Sequence, residues 1–260
     1  MRVSVIGAGR WANVYRLLIS QHESLIGHEL TDINPQAAIV VNRAAHHEST
    51  AAKLLEAGVP TLIEKPFALS VEGVQRLDRM AYGNGKLYLA VAHVLKFNEH
   101  IADFAANLSL STHRPHYASI TWTDPKEGRH YDPTLSLVAD IMPHIVSIID
   151  TVLPGHPPIL EGWSHGGAGN DFRFMVGNTC LDIHLERDAE TRQRIIEVAC
   201  GRTVHRLDFT ANPTDHNPLS KLVACFLEGA AGGHKDHRLD TRLAFMAAGL
   251  TERCLEKINA

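Results

Sequence analysis

The order of apolar runs predicts an α/β fold in two parts, a parallel sheet followed by a mostly antiparallel one. Three observations carry this. Up to about residue 96, short β-branched runs alternate with segments of helical periodicity, the pattern of a parallel sheet with helices on its faces. Beyond it, strand-like runs follow one another across short turns holding Gly177-Asn178 and Gly201, as hairpins require. The chain has 260 residues, 45% of them apolar, enough for two compact domains with buried cores. The boundary is expected near residue 96, dividing 1–96 from 97–260.

The elements read in order. Residues 3–6 form the first strand, and a Gly-Ala-Gly turn leads into a helix marked by Trp11, Val14, Tyr15, Leu18 and Ile19, through about residue 22. A buried-type strand begins near Ile39, a helix spans 51–57 and stops at Gly58, and a strand covers 59–63. Ser70 is placed to cap a helix carrying Val74, Leu77 and Met80 and closing near Gly83, before a strand at 87–91. In the second part, helical stretches are expected at 101–108 and 135–153; because Pro143 is tolerated only in a first turn, the regular helix of the second is expected to start just before it. Strands are expected at 117–123, 172–176, 180–186, 194–198 and 204–209. A helical stretch over 219–258, interrupted near Gly232-Gly233, closes the chain.

Composition excludes some classes of function. Lysine and arginine number 25 against 29 acids, a net charge of −4, so there is no basic footprint for nucleic acid or an anionic membrane surface. The four cysteines stand far apart, with no Cys-x-x-Cys pair, and read as free thiols. No stretch approaches the ~18 apolar residues of a membrane span, and the N-terminus enters a strand without a leader-like pattern. A cytoplasmic protein with a small-molecule partner is expected.

Three places could hold chemistry. The first is Gly7-Ala8-Gly9-Arg10-Trp11-Ala12, a Gly-x-Gly-x-x-Ala between strand and helix. Gly7 permits the turn, Gly9 lets backbone approach a pyrophosphate, Ala12 allows close packing, and the helix N-terminus supplies free N–H groups. Asp32 has the spacing of a ribose-binding acid. Yet too few residues separate it from the strand near Ile39 for a full strand, helix and next strand, so it reads more readily as a turn residue.

The second is Glu64-Lys65-Pro66, directly after a strand whose C-terminal end faces the ligand crevice of open α/β sheets. A lysine there can hydrogen-bond a substrate oxygen or pass it a proton. The third is Asp140 and His144, an acid and a histidine at i and i+4 on one helical face, extended by Ser147 and Thr151. Histidine is the natural acid/base near neutral pH, and the carboxylate can orient it or bind substrate hydroxyls. A metal reading needs a further ligand; His184 and the His46-His47 pair are available, but no spacing brings them together, and no metal is expected.

Taken in order, these residues resemble the glucose–fructose oxidoreductase/inositol dehydrogenase/MocA (Gfo/Idh/MocA) family over nearly the whole chain. The resemblance includes the glycine turn at 3–12, the strand and helix at 38–58 with His46, and the Glu-Lys-Pro segment at 61–67. "AHVLKFN" at 92–98 is similar to the family's Gly-His-x-x-Arg-Phe stretch, with Lys96 where arginine is usual, and "ADIMPH" is similar to its Asp-x-Gly-x-His helix. It implies a shortened Rossmann-like dinucleotide-binding domain over 1–96. It also implies a substrate domain over 97–260 built on a large, open, mostly antiparallel sheet, through which such proteins often form homo-oligomers.

The activity implied is NAD- or NADP-dependent oxidation or reduction of a sugar, polyol or related metabolite. Carried over by position, Lys65 would hydrogen-bond the reacting oxygen, His144 would be the general acid/base, and Asp140 would orient substrate or His144. Gly7, Gly9, Arg10, Trp11, Ala12, His46 and Glu64 would border the cofactor. This sequence differs from the family in three ways. The stretch between Gly7 and Glu64, 57 positions, is shorter than usual, and the part absent corresponds to the second strand and its helix. Met142 replaces the usual glycine, and Ser147 stands where an acid often follows. A lyase, isomerase or hydrolase using the same residues, and a catalytically silent partner subunit, are the alternative expectations.

Overall fold

The computed structural model describes every residue except 27–28, 31–33, 84–86, 127–131, 133, 167–168 and 211–216. The chain packs as two units, Met1–Phe97 with Asn217–Ala248, and Asn98–His216 with Gly249–Ala260. The first unit therefore closes only when the chain returns to it after residue 216, where the sequence places a single cut.

The first unit opens with β1 (Arg2–Ile6), α1 (Arg10–Ile26), β2 (Glu29–Leu30) and β3 (Ala37–Val40). It continues through α2 (His47–Glu56), β4 (Thr61–Ile63), α3 (Val71–Gly83) and β5 (Leu89–Val91). Its sheet is five-stranded and wholly parallel, in the order β2-β1-β3-β4-β5. The buried side chains of consecutive strand residues alternate between two cores. Val3, Val5, Ile39, Leu62 and Ala90 pack on one face with Tyr15 and Ile19, and Val40, Ile63, Leu89 and Val91 on the other with Leu55, Val74 and Leu77.

The reading that omits the second strand is corrected here. Glu29 and Leu30 pair in parallel with Arg2 and Val3, on the side of β1 opposite β3. A parallel neighbour ordinarily needs a long crossover because the chain must climb its strand and return. β2 climbs only two residues. Leu30 and Ala37 both stand level with Val3 on either side of β1, two inter-strand spacings or about 10 Å apart. Arg2 secures the passage: its amide donates to Gln36 Oε1 (2.9 Å), its guanidinium to the Asn34 carbonyl (3.2 and 3.3 Å), and its carbonyl accepts from the Gln36 amide (2.8 Å). Asp32 lies outside the described residues.

The second unit comprises α4 (Glu99–Ser109), β6 (Pro115–Pro125), α5 (Leu137–Val152), β7 (Pro158–Gly166), β8 (Gly169–Val176), β9 (Thr179–Ala189), β10 (Gln193–Cys200) and β11 (Thr203–Asp208). The six-stranded sheet runs β11-β10-β6-β9-β8-β7 and is antiparallel except for the central β6–β9 pair. The two-sheet α/β fold expected from the sequence is thus what the chain adopts. Two details differ from it. β7 was not anticipated, and α5 begins six residues before Pro143, capped by Ser136, whose hydroxyl accepts the Ala139 N–H (3.1 Å).

The chain then returns to the first unit with α6 (Pro218–Ala230), whose Leu222, Val223 and Phe226 are fully buried in the core beside β1. α7 (Arg242–Asn259) divides between the units at Ala248. Among the described residues, no helix is long and apolar enough to cross a membrane.

Candidate active site

Every strand of the first unit is parallel, so the C-terminal ends of β1, β3, β4 and β5 share one edge of the sheet. The order of strands reverses between β1 and β3, and that switch point is where such sheets bind ligands. The glycine turn stands there. A Cβ on Gly7 would come within 2.7 Å of the Val41 carbonyl oxygen, so only glycine lets the turn lie against the end of β3, whereas a Cβ on Gly9 would meet nothing within 4 Å. Gly9 is thus an open backbone surface at the start of α1, as a diphosphate requires. Arg16 takes up the carbonyls of Val5 (3.0 Å) and Gly7 (2.7 Å), leaving N–H groups as the turn's outward polarity. Ala12 is fully buried, Arg10 is exposed, and Trp11 is 52% exposed. The residues present therefore fit a dinucleotide.

At the end of β4, Glu64 is held by two donors. The Tyr15 hydroxyl donates to Oε1 (2.8 Å), and the Lys65 amide to Oε2 (2.8 Å). Burial foremost, and then the Glu64 carboxylate, push the Tyr15 phenol well above its ordinary range, so it remains a donor. Glu64 thereby ties the peptide of half-buried Lys65 to α1. His46 is exposed; the inward histidine is His47, with Nδ1 2.8 Å from the Pro66 carbonyl and Nε2 3.0 Å from that of Asn42. His47 bridges the turns after β3 and β4. At the end of β5, His93 is buried and Lys96 half-buried.

In the second unit, α5 presents Asp140 and His144 toward one end of the six-stranded sheet. Asp140 is buried, and its carboxylate accepts from Arg187 Nη2 (2.8 Å), while Nη1 of the same arginine donates to the Leu135 carbonyl (3.1 Å). The His144 ring stacks on Trp122 with centroids 5.1 Å apart and planes within 11°. The Arg194 guanidinium lies 3.8 Å from the Trp122 ring centroid and bonds Asp124 and the Thr123 carbonyl. Burial lowers the Arg194 pKa to about 10, against the opposing pull of Asp124. Ser147 and Thr151 spend their hydroxyls on the carbonyls of Pro143 and Ser147, both at 2.8 Å, so they brace the helix around its internal proline. The stack fixes the plane of an imidazole, and the Arg187 pair fixes a carboxylate one helical turn away.

Trp122, Arg187 and Arg194 were not anticipated. They meet because Trp122 pairs with Arg194 across β6–β10, and Asp124 with Arg187 across β6–β9. His184 faces Asp171 (2.7 Å) and Glu186 (3.3 Å) across β8 and β9. Among the described residues, no group of three or more His, Cys, Asp or Glu is arranged to hold a metal ion.

A parallel sheet with an open glycine turn at its switch point, followed by a second unit built on a six-stranded sheet, defines a Rossmann-type fold of two units. The particular family follows from comparison. Residues 10–93 match the model of the Gfo/Idh/MocA family, described as an oxidoreductase family with an NAD-binding Rossmann fold. The resemblance read from the motifs therefore holds.

Solved structures share the fold over the full length. UDP-N-acetylglucosamine 3-dehydrogenase GnnA from Acidithiobacillus ferrooxidans is 18% identical with a TM-score of 0.76, the match covering 99% of this chain and 97% of that one. Myo-inositol 2-dehydrogenase from Lactobacillus plantarum is 13% identical with a TM-score of 0.80, covering 100% and 97%. An oxidoreductase from Agrobacterium radiobacter, solved with NAD+, L-tartaric acid and magnesium, is 13% identical with a TM-score of 0.72, covering 100% and 96%. A comparison with curated proteins finds no match.

Proposed function

We propose that the chain is an NAD(P)-dependent oxidoreductase of a small hydroxylated or carbonyl substrate, a sugar, polyol or related metabolite, working in the cytoplasm. The observation that carries the reading is the placement of the open Gly9 turn and of Glu64-Lys65 on one edge of the parallel sheet, inside the segment that matches an NAD-binding oxidoreductase family. The activities named for the structural neighbours, on UDP-N-acetylglucosamine and myo-inositol, support the substrate class.

A bound nicotinamide supplies the hydride acceptor or donor. Lys65 hydrogen-bonds the reacting oxygen and assists its proton transfer, its backbone held by Glu64 and Tyr15. His144 is the general acid/base, its ring plane set by Trp122, and Asp140, gripped by Arg187, orients the substrate or His144. Gly7, Gly9, Arg10, Trp11 and Ala12 border the dinucleotide, with Glu64 and His46 toward its nicotinamide end. The test is a screen of sugars and polyols followed by nicotinamide absorbance. Lys65→Ala and His144→Ala should each lower kcat by about 100-fold or more with unchanged circular dichroism. Normal turnover in both would sink the assignment, and product formed without net change in nicotinamide would indicate non-redox chemistry.

The open face of the six-stranded sheet supports pairing of two copies. Ile159, Met175, Cys180, Tyr117, Ala199 and Val204 are successive register partners across all six strands, with Ile159 and Val204 each 64% exposed. The next row is charge-compensated, with Arg173 on Asp182 (2.7 Å) and Arg206 on Glu197 (2.6 Å). A neutral, apolar-edged face suits a two-fold, self-complementary contact. Sedimentation should give a dimer that Ile159→Glu with Val204→Glu converts to monomer; a monomeric wild type would exclude it.

A further inference from the structure

We infer that the six-stranded sheet carries a second sugar subsite, built from Trp163, His165 and Asn170, so that the substrate is a di- or oligosaccharide and not a single-ring sugar or polyol. The inference rests on the oxidoreductase reading above and narrows its substrate class.

Residues directly paired across a sheet point to the same face. One row of such partners crosses from β7 to β10: His165 with Asn170, Asn170 with Leu185, Leu185 with Trp122, and Trp122 with Arg194. Trp122 carries the His144 ring, so the row joins the catalytic stack to the edge of the sheet. Burial falls along it: Trp122 and Leu185 are buried, Asn170 is half-buried and His165 is exposed. The strand of Asn170 lies two spacings from that of Trp122, about 10 Å, and the strand of Trp163 and His165 lies three, about 14 Å. A sugar ring is about as wide as one strand spacing. A ring reacting at His144 therefore cannot reach Trp163, whereas further rings linked to it can. At the catalytic end the buried Trp122 indole N–H has no acceptor among the described residues, a donor that a hydroxyl of the reacting ring satisfies.

The outer end of the row has the chemistry of a neutral carbohydrate site. Half-buried Trp163 stands two residues before His165 on the same face of β7, their ring centroids 6.4 Å apart and their planes tilted by 40°. Its indole N–H donates to Asn170 Oδ1 (3.3 Å), which holds the ring against β8 and leaves the Asn170 amide N–H groups for a ligand. An indole face takes the C–H side of a sugar ring, and the amide and imidazole take its hydroxyls. The acids next to this row in sequence, Asp171 and Glu186, point to the opposite face, where they hold His184. The arginine of β8, Arg173, also lies on that opposite face, bound to Asp182 (2.7 Å), and β7 carries no lysine or arginine. A phosphate-bearing group would thus find no fixed cation here, and an uncharged sugar ring is the occupant that fits.

The experiment measures oxidation by the full-length protein with NAD+ and NADP+, comparing glucose and galactose with maltose, cellobiose, lactose and maltotriose. Each turnover takes a hydroxyl to a carbonyl, its hydride passing to the nicotinamide and its proton to the base. Saturation-transfer NMR follows binding of the same sugars independently of turnover, and every variant is checked for folding by circular dichroism. At least one longer sugar should exceed its single-ring counterpart in kcat/KM by about tenfold or more. Trp163→Ala should bring that ratio down to about one, chiefly through KM, and Trp163→Phe should keep much of it. His165→Ala, at an exposed position, should lower it about threefold. Equal efficiency for one ring and for more, or a preference that survives both Trp163→Ala and His165→Ala, would overturn the inference and leave the oxidoreductase reading in place. If no sugar reduces the nicotinamide, the oxidoreductase reading fails on sugars and NMR decides the subsite. A disaccharide that binds wild type but not Trp163→Ala then upholds it, and binding to neither, or to both alike, overturns it.

Discussion

Tyr15→Phe isolates one hydrogen bond on which the placement of Lys65 depends. The ring is fully buried and stays, so no cavity of consequence opens; only the hydroxyl that donates to Glu64 Oε1 at 2.8 Å is removed. A hydrogen bond to a charged group contributes about 1.5–3 kcal/mol, and since Glu64 is half-buried, water replaces part of the lost donor. The expected cost is therefore about 1.5 kcal/mol, near a tenfold change in the folding equilibrium. At roughly 2–4 °C per kcal/mol for a chain of this size, differential scanning calorimetry should show a midpoint about 3–6 °C lower. In a Glu64→Gln background the same substitution should cost less than half as much, because its partner is no longer charged. An equal loss in both backgrounds, or a shift below about 1 °C in the wild type, would refute the Tyr15–Glu64 pairing.

Four further outcomes are expected. Gly7→Ala drives a Cβ against the Val41 carbonyl and should destabilise the fold by about 1–3 kcal/mol in urea unfolding. Gly9→Ala meets nothing and should leave stability unchanged while lowering dinucleotide affinity at least about tenfold; equal behaviour of the two would contradict the geometry. His184 has a net raised pKa, since burial lowers it but Asp171 and Glu186 outweigh that effect. Its stabilising contribution is full below the unfolded pKa and is lost as pH rises through the folded one, so His184→Asn should lower the thermal midpoint at about pH 5.5 and change it little at about pH 9. Trp122→Leu removes the surface on which His144 stacks and should move the acidic limb of the kcat–pH profile, with Trp122→Phe restoring much of it; an unmoved profile would leave Trp122 a packing residue only.

Where the sequence is legible, the signal is local. The glycine turn, the strand end at Glu64-Lys65 and the Asp140–His144 face each lie within a few residues, and each stands on the element expected. β2 has no signature because two residues cannot show a period, and β7 escapes because a bulge between Leu160 and Gly162 breaks its alternation. The parallel β6–β9 pair, and with it the meeting of Trp122, Arg187 and Arg194, depends on partners more than fifty residues apart, which no local pattern encodes. His47 was within reach: it shares the inward face of α2 with Ala51 and Leu55, at successive steps of four, whereas His46 lies outside that phase.

The return of α6 to the first unit bears on how the chain is made. Leu222, Val223 and Phe226 complete the core that β1 and α1 begin, yet they leave the ribosome long after those elements. At about 5–20 residues per second, the segment up to Phe97 must wait roughly 6–25 seconds for Asn217 to follow it. During that interval the face carrying Val3, Ile39 and Ala90 lacks the cover that α6 supplies. The second unit, most of which is continuous in sequence, is synthesised in the meantime. Folding of the first unit is thus coupled to synthesis through α6, and a product truncated before Asn217 would leave that core unfinished.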